Sequence, residues 1–178
     1  MSQHSPSEKK FDARGKAFAV VAAQWNPHIV DALLAGAVAT LRENGASVAG
    51  IHRCAGVFEL APLCARVGRT GGIDGVVALG CVIRGGTDHY ALLSAETTRA
   101  LGALAVELSS LQRPVAVAFG VLTCDNEAQA VERKDKGREA ALACLEQALA
   151  FAAADSGAGR DANEVGFRAG RDPGEGKA

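Results

Sequence analysis

A layered α/β fold with a parallel sheet is predicted by three features of the chain. Short apolar runs rich in Val, Ala and Leu alternate with longer segments of helical period. These runs are apolar on successive residues, as strands covered on both faces are. Aromatic residues make up only 4% of a chain that is 48% hydrophobic. The core is therefore built from Ala, Val, Leu and Ile, which suits close helix-on-sheet packing.

The first run, Ala17 to Ala23, reads as a buried strand. Asn26-Pro27 follows, an N-cap and a first helical residue. Val30, Leu34, Ala37 and Leu41 then fall at helical spacing until Asn44-Gly45 stops the helix. Ser47 to His52 is a second strand. Gly56-Val57-Phe58-Glu59 turns into a short helix from Leu60 to Val67, which Gly71-Gly72 ends. Val76 to Leu79 is the third strand. A long helix follows from about Asp88, with Leu93, Thr97, Leu101, Leu104 and Leu108 on one face. After Pro114, Val115 to Phe119 is the fourth strand. Glu127 to Arg133 is a short helix. The last helix, Arg138 to about Ala153, has a stripe formed by Ala141, Leu142, Leu145, Ala148, Leu149 and Ala152.

This organisation gives a flexible N-terminal segment at 1–16, one domain at 17–154 and a disordered C-terminal tail at 155–178. The tail is rich in Gly, Asp and Arg, has no period and offers no face to bury. No internal repeat is present.

Of the 178 residues, 19 are basic and 20 acidic, for a net charge of −1. With no long basic stripe, nucleic acid is excluded as a partner. Five cysteines, Cys54, Cys64, Cys81, Cys124 and Cys144, form no C-x-x-C pair. Reduced, mostly buried thiols in a cytoplasmic protein are expected. His52 and Cys54 have no second ligand pair at zinc spacing, so strand packing is the reading and no metal is expected. Met1 to Lys16 is polar, unlike a signal peptide, and no apolar run is long enough for a membrane span.

The most informative segment is Gly80-Cys81-Val82-Ile83-Arg84-Gly85-Gly86-Thr87-Asp88-His89-Tyr90. It lies where the third strand hands over to a helix N-terminus. Free backbone N–H groups and the positive end of the helix dipole make such a place an anion site. His89 stands two residues past Thr87, within reach of whatever carries the anion. An enzyme acting on a small phosphorylated or carboxylated molecule fits this pattern. A tight glycine turn before an ordinary helix start fits it as well. A P-loop does not, because Gly86 stands where lysine is required.

Other strand ends carry residues beyond the needs of a turn. Trp25, the only tryptophan, could stack on a flat heterocycle or cap the core or an interface. Glu59 could grip ligand hydroxyls or amines, or offset a helix dipole. Arg133 suits phosphate, and also suits an ordinary surface. No Ser–His–Asp or exposed-Cys pattern points to a covalent nucleophile.

Taken together, four blocks resemble the lumazine synthase family. Gly80 to Tyr90 is similar to its G-x-V-I-R-G-x-T-x-H-[FY] signature. Phe119-Gly120-Val121-Leu122-Thr123 with Gln129-Ala130 and Arg133 is similar to its F-G-V-L-T…Q-A-x-x-R block. Gly56 to Glu59 resembles its G-A-F-E turn, and Trp25-Asn26 its aromatic-Asn pair. The blocks occur in the family's order, and the resemblance runs from about Phe18 to Leu149.

The resemblance implies a flavodoxin-like three-layer α/β/α sandwich around a four-stranded parallel sheet. It implies the penultimate step of riboflavin biosynthesis, with no cofactor. Trp25 would stack on a pyrimidine, and Val57, Phe58 and Glu59 would hold it and its ribityl chain. Cys81, Val82 and Ile83 would line the same pocket. Gly86 and Thr87 would bind a phosphate, joined by Arg133 of a neighbouring subunit. His89 would transfer protons, and Phe119 would close the pocket from that neighbour. A pentamer is implied as the minimal homo-oligomer, with decamers or a 60-mer above it. Riboflavin synthase is a candidate partner.

The chain departs from the family in places. Ala91 follows His89-Tyr90 where many members carry an acid. The proline after the Glu59 turn is missing, with Ala61-Pro62 nearby. Lys134 to Gly137 is a shortened link, which favours free pentamers or decamers over a shell and leaves open whether Lys136 reaches the phosphate. The runner-up reading is a weakly active or inactive paralogue that binds lumazine or flavin as a carrier or assembly module.

Overall fold

The structure is a computed structural model and describes residues 10–157. The tail expected beyond that point, and residues 1–9 of the N-terminal segment, lie outside the described residues. Four parallel strands form one sheet in the order β2-β1-β3-β4. They are β1 (Ala17–Ala23), β2 (Ser47–Cys54), β3 (Gly75–Ile83) and β4 (Ala116–Cys124). The helices are α1 (Pro27–Glu43), α2 (Leu60–Arg69), α3 (His89–Ser109), α4 (Glu127–Glu132) and α5 (Lys136–Asp155). A single 3-10 turn, Val57–Glu59, precedes α2.

The central strands β1 and β3 are buried along nearly their whole length. Their alternate residues feed two cores. Phe18, Val20 and Ala22 pack under α1 and α5, against Leu33, Leu41, Leu142 and Leu145. Ala19, Val21 and Ala23 pack under α2 and α3, against Leu60, Leu101, Leu104 and Leu108. The result is the expected flavodoxin-like three-layer sandwich. Ahead of β1, Ala13 is fully buried, and Asn44 holds the chain by accepting bonds from the backbone N–H groups of Phe11 (2.7 Å) and Ala13 (2.9 Å).

Several boundaries differ from the sequence reading. β3 does not stop at Leu79 but continues through Gly80 to Ile83. Gly80 is thus a strand residue rather than part of a loop. A Cβ there would come within 2.6 Å of Val57 Cγ1, so the glycine serves packing between the strand and the 3-10 turn. β4 likewise runs on from Phe119 to Cys124, paired with β3 throughout. β2 extends to Cys54. α5 starts at Lys136, so the link after α4 is shorter than the sequence suggests. Close packing demands that start: a Cβ on Gly137 would lie 2.0 Å from the Leu33 carbonyl oxygen of α1.

Asn26 also departs from expectation. It occupies the N-cap of α1, but its side chain makes no capping bond. Its backbone is left-handed, with φ 56° and ψ 56°. The side-chain amide instead donates to the Cys81 carbonyl at 3.0 Å.

Candidate active site

The chain leaves β1 for β2 on one side and later places β3 on the other, so connections reverse direction at β1. In open α/β sheets ligands bind at the carboxyl ends of strands beside such a reversal. A cavity of about 500 Å³ lies there, within the range of small-molecule sites.

The cavity gathers residues from four places. The loop after β1 supplies Trp25 and Asn26. The turn after β2 supplies Ala55 to Glu59, including Val57 and Phe58. The end of β3 supplies Cys81, Val82 and Ile83, and α3 supplies His89 and Leu93. Most of the candidate site residues therefore meet around one space. Trp25 and Phe58 are 72% and 67% exposed, two broad apolar surfaces at its mouth.

Each wall has a physical origin. Gly56 donates its N–H to Glu59 Oε2 at 2.8 Å. A Cβ on Gly56 would approach that oxygen to 3.2 Å and Trp25 Cδ1 to 3.4 Å. Glycine thus lets the turn close between the carboxylate and the indole. The Cys54 thiol lies 3.3 Å from the Gly56 carbonyl it donates to. On the opposite wall Cys81 belongs to the core under α1 and α5, whereas Val82 belongs to the core under α2 and α3. Cys81 therefore sends its sulfur away from the Val57 side. Burial pushes the Cys81 thiol up to about 11, with the Cys124 thiol adding to the rise. It stays protonated at neutral pH and is no nucleophile.

Gly86, Thr87, Phe119 and Arg133 do not line this cavity. Gly86 and Thr87 lie in the exposed loop before α3, directly ahead of His89. No side chain caps α3, so its first N–H groups remain available to an anion. Phe119 sits on the edge strand β4, opposite Ala78, and is 36% exposed. Arg133 ends α4. Among the described residues its guanidinium has no ion-pair partner.

One feature beside the anion loop has no counterpart among the residues expected from the sequence. Arg84 pairs with Asp125 at 2.8 Å and stacks over the Tyr90 ring at 4.2 Å from its centre. Its backbone N–H donates to the Cys124 carbonyl at 2.9 Å. Asp125 in turn donates its N–H to Gln129 Oε1 at 2.9 Å. Loop 84–88 is thereby tied to the start of α4. The Arg-Asp pairing spans 41 residues of sequence, and no local pattern announces it.

Residues 15–152 match the family described as 6,7-dimethyl-8-ribityllumazine synthase. The curated 6,7-dimethyl-8-ribityllumazine synthase of Kineococcus radiotolerans is 43% identical over 158 residues, covering 85% of this chain and 94% of that protein. That of Anaeromyxobacter dehalogenans is 45% identical over 137 residues, covering 73% and 82%. That of Myxococcus xanthus is 40% identical over 152 residues, covering 82% and 91%. With a sheet of the right order and a cavity at its switch point, these similarities agree: the chain belongs to the 6,7-dimethyl-8-ribityllumazine synthase family.

Proposed function

We propose that this chain condenses 5-amino-6-(D-ribitylamino)uracil with 3,4-dihydroxy-2-butanone 4-phosphate. The products are 6,7-dimethyl-8-ribityllumazine, phosphate and water. The observation that carries the reading is the cavity at the ends of β1, β2 and β3, walled by Trp25, Glu59, Cys81 to Ile83 and His89.

The substrate amine is itself the nucleophile. It attacks the ketone, and loss of water gives an imine. Elimination then releases phosphate and leaves an enol that tautomerises to a second carbonyl. The ribitylamino nitrogen closes the ring on that carbonyl, releasing a second water. A protein serving this sequence needs no covalent nucleophile, and the raised Cys81 thiol suits that role description. Trp25 covers the pyrimidine, while the turn from Val57 to Glu59 holds the ring and its ribityl chain. Gly86, Thr87 and the uncapped start of α3 take the phosphate. His89, on the cavity wall and first in α3, moves protons between amine, ketone and leaving group. Positioning two molecules together supplies most of the rate, and one acid–base group adds roughly 10²–10⁴-fold.

Phe119 and Arg133 complete the site of an adjacent copy in a cyclic pentamer. Support comes from their absence from their own chain's cavity and from their exposure. Leu92, Val106 and Val131 add large exposed apolar side chains, at 66%, 70% and 48%. A head-to-tail contact of this kind closes into a ring. The shortened link between α4 and α5 favours free pentamers or decamers over a 60-mer. All five cysteines are free, which suits the reducing cytoplasm.

The test mixes the protein with both substrates. It follows the lumazine chromophore and inorganic phosphate, with light scattering in the same buffer. Equal amounts of both products from an oligomer are expected. Ring binding without phosphate release would instead favour a carrier, and turnover by a monomer would sink the shared site.

A further inference from the structure

The strands around the cavity end at different heights. The β1–β3 ladder stops at Ala22 opposite Leu79. β3 continues to Ile83, supported on its other side by β4 as far as Cys124. Cys81 to Ile83 therefore project past β1, with an open slot where the next rungs would lie. Among the described residues, one hydrogen bond crosses that slot: Asn26 Nδ2 to the Cys81 carbonyl, 3.0 Å.

Asn26 is held in an unusual state to make it. It is the only non-glycine residue at positive φ among the described residues. Asparagine tolerates this region better than most residues, but a side-chain cap on α1 would require extended backbone instead. The cap is forgone. A carbonyl only accepts, so the amide must turn its NH₂ towards Cys81. Trp25 precedes Asn26 and packs over Gly56, so the backbone angle of Asn26 also sets where the indole stands.

From this geometry we infer that Asn26 is a positioning residue for the ring-binding half of the site. It fixes the width of the slot between Trp25 and the projecting end of β3. Its bond replaces the missing rung of sheet and keeps the Cys81 carbonyl satisfied when the cavity is empty. This rests on the proposed function for the identity of the ring, a ribitylaminopyrimidine. The anion loop is anchored elsewhere, through Arg84, Asp125 and Tyr90. Loss of the Asn26 bond should therefore be felt by one substrate and not the other.

Two variants separate the bond from the backbone. Asn26→Gly keeps the left-handed conformation at no steric cost and removes the amide. Asn26→Asp keeps the size and sets a carboxylate oxygen against the Cys81 carbonyl. Binding of 5-amino-6-(D-ribitylamino)uracil is read directly from the fluorescence of the single tryptophan, Trp25. KM for each substrate and the melting temperature are measured alongside. Asn26→Gly should weaken ring binding roughly threefold to tenfold, the size of one net hydrogen bond, with KM for the phosphorylated ketone unchanged. Asn26→Asp should weaken it further. Wild-type ring affinity in Asn26→Gly overturns the inference, as does an equal rise in both KM values. Ring binding in the wild type without turnover counts against the proposed reaction, not against this role, because binding is read on its own.

Discussion

Glu59 accepts the Gly56 N–H at 2.8 Å through one carboxylate oxygen, so a residue expected to meet ligand also shapes the turn that carries it. The two duties separate by substitution. Glutamine keeps an acceptor for Gly56 and loses the charge. Glu59→Gln should leave stability within about 0.5 kcal/mol of wild type, as for most exposed replacements. It should weaken ring binding roughly tenfold, the gap between a charged and a neutral hydrogen bond. Glu59→Ala should lose stability as well as affinity. Calorimetric melting and ring titration of both variants check this, and full affinity in the glutamine variant would restrict Glu59 to the turn.

His89→Ala should slow turnover by about 10²-fold or less, since positioning survives its loss. Affinity for the pyrimidine should stay nearly unchanged. His89 is exposed and first in α3, so truncation opens no core cavity. Stopped-flow turnover with a separate ring titration provides the readout. An inert variant that also fails to bind the ring would make His89 structural.

Arg133→Ala should raise KM for the phosphorylated ketone and weaken binding of inorganic phosphate. A charge-assisted contact is worth about 1.5–3 kcal/mol, or roughly tenfold to a hundredfold. The guanidinium has no ion-pair partner among the described residues, so its removal strands no opposite charge. Steady-state kinetics with each substrate varied in turn decides the point: a change confined to the pyrimidine KM would remove Arg133 from the phosphate site.

The sequence was readable where local chemistry decides the structure. Ala17 to Ala23 is apolar on every residue, and Asn26-Pro27 marks the start of α1 within a residue. It misled where a distant partner decides. Gly80 looked like the first residue past the third strand, yet it continues that strand and its role comes from close packing against Val57 of the 3-10 turn. Asn26 looked like a cap, yet its bond goes to Cys81, 55 residues away. Trp25, Glu59 and His89 stood out by their place at strand ends, whereas their separate roles were legible only because four short blocks resemble a family in order. The tie from Arg84 to Asp125 was not legible, because nothing in either segment fixes how far β4 runs beside β3.

Gly137→Ala should be the most damaging single-methyl change in the fold. The added Cβ would meet the Leu33 backbone, its oxygen at 2.0 Å and its carbonyl carbon at 2.6 Å. Backbone cannot rotate aside as a side chain does. Overpacking typically costs about 1–3 kcal/mol and more where backbone must move, which at this backbone contact outweighs the ~1 kcal/mol of helix propensity that Ala gains over Gly. Urea unfolding should show a lower midpoint with an unchanged slope. A neutral or stabilised variant would mean that α1 and α5 can separate freely.

Buried thiols give the fold a defined alkaline limit. Burial pushes Cys64 up to about 12 and Cys81 up to about 11, and pushes Cys144, fully enclosed, higher still. In the unfolded chain these thiols ionise at about 9 or just below. Their native pKa values are raised, so the native state holds its protons where the unfolded state has lost them. The stability they contribute is complete below the unfolded value and falls as pH rises through 9 towards 11. Each thiol fully buried in the native state subtracts about 1.4 kcal/mol per pH unit in that window. Unfolding midpoints measured from pH 7 to 10.5 should be flat and then drop. Cys144→Ala should make the drop shallower by one thiol's share, because Cys144 shares its enclosed place with Gly75 and the Val76 carbonyl and ionises only on unfolding. An identical slope in that variant would assign the alkaline loss to other groups.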